Sequence, residues 1–315
     1  MYNSNLIFID GIEKLRLARN MTQKELAQGI ITPLTYSRVK QGKTRLTIVA
    51  IEQLAYRLNA RIEDIIDYSN FNDDPETALL IQEYDYIIEN KASVPITRPE
   101  KLYKTLVDQK ELVPALIRFK YLLQKHFSEQ SSIIPKVDQL YINENYNRIN
   151  YSTKLTSYDL EFLGDFTAYL SMDQIKSLYP KILDLDINVR KFHNSYYLKY
   201  TGICFVNFAD MLIDNKDFAM AQELLKNVEK YATTFGQASY HIWYYYFTAI
   251  IDIYKEKKQE EKQKKLTELG TYIDGLKIVL NHTRFYPFFK SSYERMVDRK
   301  GNPPQVQKVH YLLKG

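Results

Sequence analysis

The sequence predicts an all-α protein: a small N-terminal helical bundle followed by an α-solenoid of stacked helix pairs. Three observations predict it. Turn-makers are scarce, with 10 glycines and 10 prolines in 315 residues, where average usage gives about 22 and about 16. β-Sandwiches, barrels and glycine-loop nucleotide sites need left-handed backbone at many turns, so these classes are disfavoured. Apolar residues recur at helical spacing along most of the chain, between short polar joints. One such stripe returns twice at an interval of 42 residues, as in repeat architectures. The length predicts two domains.

Residues 10–67 read as five short helices. Ile12, Leu15 and Ala18 stripe the first, and Asn20-Met21 breaks it. Thr22-Gln23-Lys24-Glu25 is a capping box that opens the second, with Leu26, Ala27 and Ile30 as its buried face. Gly29 to Thr32 is the turn. Thr32 is the N-cap of the third helix and Pro33 its first residue, where a missing N–H costs nothing. Tyr36 and Val39 face inward, and Gly42 ends the helix. Ile48, Ile51, Leu54, Ala55 and Leu58 make a fourth helix; Ile62, Ile65 and Ile66 start a fifth.

The run Gln23-Lys24-Glu25-Leu26-Ala27, the short turn Gly29–Thr32, and Tyr36-Ser37-Arg38-Val39-Lys40-Gln41-Gly42-Lys43 resemble the helix-turn-helix of Xre-type repressors. The turn is a residue shorter than the usual Xre turn, which resembles the Rgg/PrgX/PlcR group of peptide-pheromone regulators. Lys40 departs from the pattern, since the family usually carries Glu there. The resemblance implies that the third helix enters the major groove of double-stranded DNA. Pro33, Leu34, Ser37, Arg38 and Gln41 lie on its exposed face. Arg38 is the base reader, its fork matching guanine O6 and N7, and Leu34 can touch a thymine methyl. Gln23, at a helix N-terminus, can hold a phosphate. Thr35, Lys40, Lys43 and Arg45 are expected on the DNA backbone, which they position without reading sequence. Residues 1–67 hold ten Lys and Arg against seven Asp and Glu.

Residues 68–77 (YSNFNDDPET over 68–77) read as a polar linker. The domain that follows, 78–281, is helix after helix. Leu79, Leu80, Tyr84, Ile87 and Ile88 make one stripe; Val94 to Pro99 is a loop; Leu112, Leu116, Phe119, Leu123 and Phe127 make another stripe. The repeat then begins. Leu163, Phe166 and Leu170 match Phe205, Phe208 and Leu212, then Phe247, Ile250 and Tyr254. Each stripe precedes a second apolar helix: Ile175/Leu178/Ile182, Phe218/Ala221/Leu225 and Leu266/Leu269/Ile273. Such pairs bury their faces only by stacking on neighbours. Lys216-Asp217-Phe218-x-x-Ala221 resembles the joint of tetratricopeptide repeats. That resemblance puts Ile203, Val206, Asn207, Asp210 and Asp214 on a concave, peptide-binding face, with Tyr245, Thr248, Ala249 and Asp252 in the next unit. An Asn side chain can bracket a peptide bond or simply join two helices. Asp210 and Asp252 can hold an amino terminus or a basic side chain, or stand as solvated acids. Residues 282–315 read as a C-terminal capping helix and tail, whose aromatic, amphipathic stretch 285–297 can cap the solenoid end, close over ligand or join a dimer.

The single cysteine, Cys204, permits no internal disulfide and fits a reducing cytoplasm. We expect no signal peptide and no membrane span: the longest apolar run, 242–251, is about half the length required. Five scattered histidines and the lack of Walker, dinucleotide or H-E-x-x-H patterns give no support to catalysis, metal or cofactor. The expectation is a cytoplasmic DNA-binding regulator, dimeric through its repeats on a near-palindromic operator, that senses a short signalling peptide. The alternative is a constitutive plasmid- or phage-type repressor whose repeats bind a protein partner.

Overall fold

A computed structural model describes residues 4–68, 75–109, 114–185, 187, 195–280 and 285–303. Among the described residues it contains α-helices and one 3₁₀ turn, and no strand. The chain divides into two compact units, 1–137 and 138–315.

The first unit opens with α1 (Ser4–Ala18), α2 (Gln23–Ala27), α3 (Pro33–Lys40), α4 (Ile48–Arg57) and α5 (Ile62–Tyr68). α1 starts six residues before the position read from the sequence. Its buried face is Ile9, Ile12 and Leu15, while Ala18 is exposed. The capping box forms as expected: the Thr22 N–H donates to Glu25 Oε2 at 2.7 Å, and the Glu25 N–H donates to Thr22 Oγ1 at 3.2 Å. Thr32 caps α3 by accepting from the Thr35 N–H at 3.0 Å, with Pro33 at the first turn. Gly29 and Gly42 take φ of +73° and +70°, a conformation that a Cβ strains. Leu26, Tyr36, Val39, Ile51, Leu54, Leu58 and Ile65 close one core with α1. Arg57 on α4 staples this bundle. Its guanidinium donates to the carbonyls of Leu26 (2.8 Å), Glu25 (3.2 Å) and Gln28, which α2 leaves unsatisfied at its C-terminus.

α1 and α5 pack at very close range. A Cβ built on Gly11 meets the Ile65 carbonyl oxygen well inside contact distance. Gly11→Ala must therefore part the two helices, and we expect a loss of about 2–3 kcal/mol, as for other overpacked cores. Chemical denaturation of the variant measures it.

α6 (Pro75–Glu89), α7 (Thr97–Asp108) and α8 (Pro114–Phe127) complete the first unit. Two readings change here. Pro99 belongs to the first turn of α7 rather than to a loop, where its missing N–H is harmless. Leu79 is exposed, so the α6 stripe narrows to Tyr84, Ile87 and Ile88; Tyr84 stacks on Phe119 of α8 with ring centroids 3.8 Å apart. Residues 69–74, the centre of the expected linker, and Leu112 lie outside the described residues.

The second unit runs α9 (Gln139–Tyr151), α10 (Ser157–Phe166), α11 (Met172–Leu183), α12 (Ser195–Asp214), α13 (Phe218–Phe235), α14 (Ala238–Lys255), α15 (Gln259–Leu280) and α16 (Phe285–Asp298). α10/α11, α12/α13 and α14/α15 are the three helix pairs that the 42-residue interval predicts. Leu163, Phe166, Phe205, Phe208, Leu212, Phe247 and Ile250 are buried in them. The first pair departs from the pattern: α10 ends at Phe166, and a 3₁₀ turn at Thr167–Tyr169 carries the chain to Leu170, which is buried but not helical. Polar side chains lock the pairs together. Asn227 Nδ2 donates to the Leu183 carbonyl at 2.7 Å, and Tyr231 Oη to the Leu198 carbonyl at 2.7 Å. The mixed-charge run 255–265 is the α14–α15 joint, solvated except for Lys262, which is buried and donates to Asn302 Oδ1 at 3.2 Å.

Candidate functional site

The first candidate surface is α3 and its surroundings. Thr32 and Pro33 start the helix, and Tyr36 and Val39 pin its inner face to the core. The outer face is thereby held rigidly toward solvent. Leu34 is 62% exposed, and the Arg38 guanidinium has no hydrogen-bond or ion-pair partner among the described residues. Pro33, Gln41, Lys43 and Arg45 are also exposed, while Thr35 and Ser37 are half-buried. Thr35 Oγ1 lies 2.8 Å from Thr32 Oγ1, and Ser37 Oγ accepts from Gln41 Nε2 at 3.3 Å.

Two of the expected backbone contacts are tied to an acid that the sequence did not single out. Glu13, on α1, receives Lys40 Nζ at 2.6 Å, Tyr36 Oη at 2.5 Å and Arg16 Nε at 2.8 Å, and Gln23 Nε2 stands 3.5 Å away. Burial alone pushes this carboxyl up. Hydrogen bonds from Arg16, Lys40 and Tyr36 more than reverse that and hold it down at about 2. The departure at Lys40 thus has a structural partner. Where the resembling pattern has an acid on the third helix, this chain places a lysine there and an acid on α1. Glu13 carries no sequence signal of its own, because its partners come from three separate helices.

The second candidate surface involves α12, α14 and α16. Ile203 and Val206 are buried in the core rather than offered to a groove, because α12 is enclosed by its neighbouring helices. Asn207 Nδ2 donates to the Gly164 carbonyl of α10 at 2.8 Å, a helix–helix bond, and its Oδ1 is buried without a partner. Asp210 and Asp214, one turn apart, form no hydrogen bond or ion pair among the described residues. Burial, then the neighbouring Asp214, holds the Asp210 carboxyl well above the ordinary carboxylate range. Burial also raises Asp214, to about 6, against the pull of Arg299, in the turn that follows α16, and Arg295 of α16.

Tyr245 and Asp252 are not brought to this cluster. Tyr245 is 65% exposed and stacks on Tyr272 of α15, with centroids 5.9 Å apart. Asp252 is exposed, its carbonyl 3.5 Å from Lys265 Nζ. The α14 side chains that face the acid pair are Tyr246 and Tyr254 instead. The exact 42-residue equivalence does not carry over, because Trp243 and Tyr246 are drawn onto Phe289 of α16 at 4.5 and 4.8 Å. The sequence leaves α16 three roles: capping the solenoid end, closing over ligand or joining a dimer. α16 supplies Arg295 and Ser292 to the same cluster, and the turn after it supplies Arg299.

No group of His, Cys, Asp and Glu among the described residues has a metal-binding arrangement. No helix among them is long and apolar enough to cross a membrane. Cys204 is buried, its Sγ 3.3 Å from the Leu160 carbonyl, and burial pushes its thiol up; it is a packed core residue.

Residues 12–65 match the family model described as helix-turn-helix, so the N-terminal bundle is a helix-turn-helix domain of the Xre type. No curated protein matches the sequence. Solved structures do share the fold over nearly the whole chain. The SHP pheromone receptor Rgg2 of Streptococcus dysgalactiae aligns with a TM-score of 0.65 at 12% identity, covering 91% of this chain and 99% of the other. PlcR of Bacillus thuringiensis, solved with the peptide PapR7 and DNA, gives 0.57 at 17% identity, covering 91% and 98%. ComR of S. thermophilus, solved with DNA and its signalling peptide ComS, gives 0.56 at 14% identity, covering 93% and 99%.

Proposed function

We propose that this chain is a cytoplasmic, sequence-specific DNA-binding transcriptional regulator whose helical-repeat domain binds a short signalling peptide. The observation that carries this reading is the exposed, unpartnered Arg38 beside exposed Leu34 on a helix whose other face is locked into the core. A guanidinium fork on a rigid recognition helix is the side chain best suited to guanine in the major groove. Lys43 and Arg45 supply phosphate contacts beside it, and Gln23 the N-terminus of α2. Further support comes from the shared fold with regulators solved on DNA and on peptides.

The proposed division of labour is DNA binding by residues 1–67 and sensing by 78–281. The repeats would form a homodimer that sets two reading heads on a near-palindromic operator, with half-sites one helical turn of DNA apart or a multiple of it. The peptide acts by binding one arrangement of the heads better than another, which requires differential affinity for the two states.

Arg38→Ala tests the DNA half. On an operator selected from a random duplex library, at fixed salt, we expect a loss of about 1–3 kcal/mol, or roughly fivefold to 150-fold. Peptide affinity and thermal stability should be unchanged. A mutant that binds the selected operator like wild type contradicts the assignment of α3 as the reading helix.

A further inference from the structure

The cluster between α12, α14 and α16 has an unusual inventory. Two carboxyls, Asp210 and Asp214, stand near two guanidiniums, Arg295 and Arg299, yet no ion pair forms between them among the described residues. Two polar atoms of the cluster are fully buried and unpartnered, Tyr246 Oη and Arg299 Nε. Tyr246 is 1% exposed, and the Ser292 hydroxyl stands beside it without completing a hydrogen bond. Among the described residues the one hydrogen bond from either guanidinium is a long one, Arg299 Nη2 to Tyr254 Oη at 3.4 Å. Buried polar groups are almost always satisfied, so this set marks a place built for something else.

The donors decide what that is. Tyr246 offers an O–H, and Arg295 and Arg299 offer guanidinium N–H groups that accept nothing. Asp210 sits too deep and too near Asp214 to ionise readily, so it too presents an O–H. With Asp210 protonated and Asp214 ionised, the cluster has an excess of positive charge, and most of its unused capacity is for donating.

We infer that this cluster receives a carboxylate of the bound peptide, its free C-terminus or an acidic side chain, on Arg299, Arg295 and Tyr246. The inference rests on the peptide-sensor reading and names the chemistry of one end of the ligand. Arg299 and Arg295 hold the anion, Tyr246 donates from α14, and protonated Asp210 donates from α12. The ligand therefore bridges three helices, and α16 becomes part of the receptor surface.

The groups that face the incoming anion are Asp210 and Asp214 from α12, Tyr246 and Tyr254 from α14, Arg295 from α16 and Arg299 from the turn after it. Of these, Asp214 titrates nearest neutrality. A second negative charge favours its protonated form, so binding takes up a proton and tightens as pH falls from about 7.5 to about 6. A site for a cationic ligand group has the opposite slope.

The test uses the full chain and two pools of fluorescein-labelled apolar heptapeptides, identical except that one ends in a free carboxylate and the other in an amide. Fluorescence polarisation reads binding. The free-acid pool should bind about tenfold or more tightly than the amide pool, the size expected of charge-assisted bonds. Arg299→Gln and Tyr246→Phe should shrink that ratio, with circular dichroism melts showing both variants folded. Asp214→Asn should flatten the pH profile. A pool of peptides with a Glu or Asp inside and an amidated end separates the side-chain source from the C-terminal one. Equal binding of all amidated and free pools overturns the carboxylate site and leaves the peptide sensor standing. Binding of neither overturns both.

Discussion

Glu13→Ala should cost the N-terminal domain about 3 kcal/mol. The substitution removes the one acid on which Lys40, Tyr36 and Arg16 converge, at 2.6, 2.5 and 2.8 Å. It leaves a buried phenol and a 9% exposed Arg16 facing each other without their anion, and stranding partners of a sheltered ion pair is more costly than the pair is worth. Linkage gives the same interaction a pH signature. The carboxyl is held at about 2 in the fold, against 4.5 for an ordinary Glu. A depressed acid stabilises the fold above its unfolded pKa and loses that contribution as pH falls through its folded one. The window is therefore about pH 4.5 down to about pH 2. The side chain is 15% exposed, and solvent screening discounts the linked share to about 2 kcal/mol. Urea denaturation of wild type and Glu13→Ala across that window should show two curves that converge at low pH. Parallel curves would mean that Glu13 does not carry the acid sensitivity. The charge-exchanged pair Glu13→Lys with Lys40→Glu should recover part of the loss that Glu13→Lys alone suffers.

Phe205→Ala should be the most damaging single change in the repeats, at about 3–5 kcal/mol. Phe205 is fully buried at the centre of α12, edge-on to Tyr231 of α13 at 6.2 Å. Its loss opens a cavity between elements that pack tightly from both sides, so the site cannot collapse cheaply. In a stacked array the effect passes to both neighbouring pairs. The expected readout is a large drop in the denaturation midpoint of the repeat unit, while Arg38-dependent DNA binding persists below that midpoint. A cost under about 1 kcal/mol would mean that α12 is not the centre of the stack.

The parts of this protein that were legible in the sequence are those written locally. Thr22 and Glu25, or Thr32, Pro33 and Gly42, each declare a helix end within four to ten residues, and the caps form where they were read. The helix pairs were legible because the apolar stripe repeats itself. What was not legible depends on helices far apart in the chain. Glu13 meets Arg16 at the ordinary i,i+3 helix spacing, but it also gathers side chains from positions 23, 36 and 40, and no spacing rule links an acid on α1 to those. The α14 face turned by about one residue from the register expected by analogy with α12, since Trp243 and Tyr246 answer to Phe289 rather than to the repeat. Tyr246 therefore stands where Tyr245 was expected, and Arg295 and Arg299 join a site that the sequence assigned to α12 and α14 alone. Leu79 and Ala18 misled for a simpler reason: a stripe at helical spacing marks a candidate face, and only tertiary packing decides which members are covered.

The central claim is that one chain couples peptide binding in its repeats to DNA binding through α3. The most direct measurement is a titration of the full chain onto its selected operator by fluorescence anisotropy, at fixed salt, with and without the free-acid heptapeptide pool. The account predicts that peptide shifts operator affinity or stoichiometry, by at least about fivefold for a coupling of about 1 kcal/mol. It also predicts that Arg38→Ala weakens operator binding by the same amount, about 1–3 kcal/mol, at every peptide concentration. Operator binding identical with and without peptide, in a protein that shows no affinity for the pool, would contradict it.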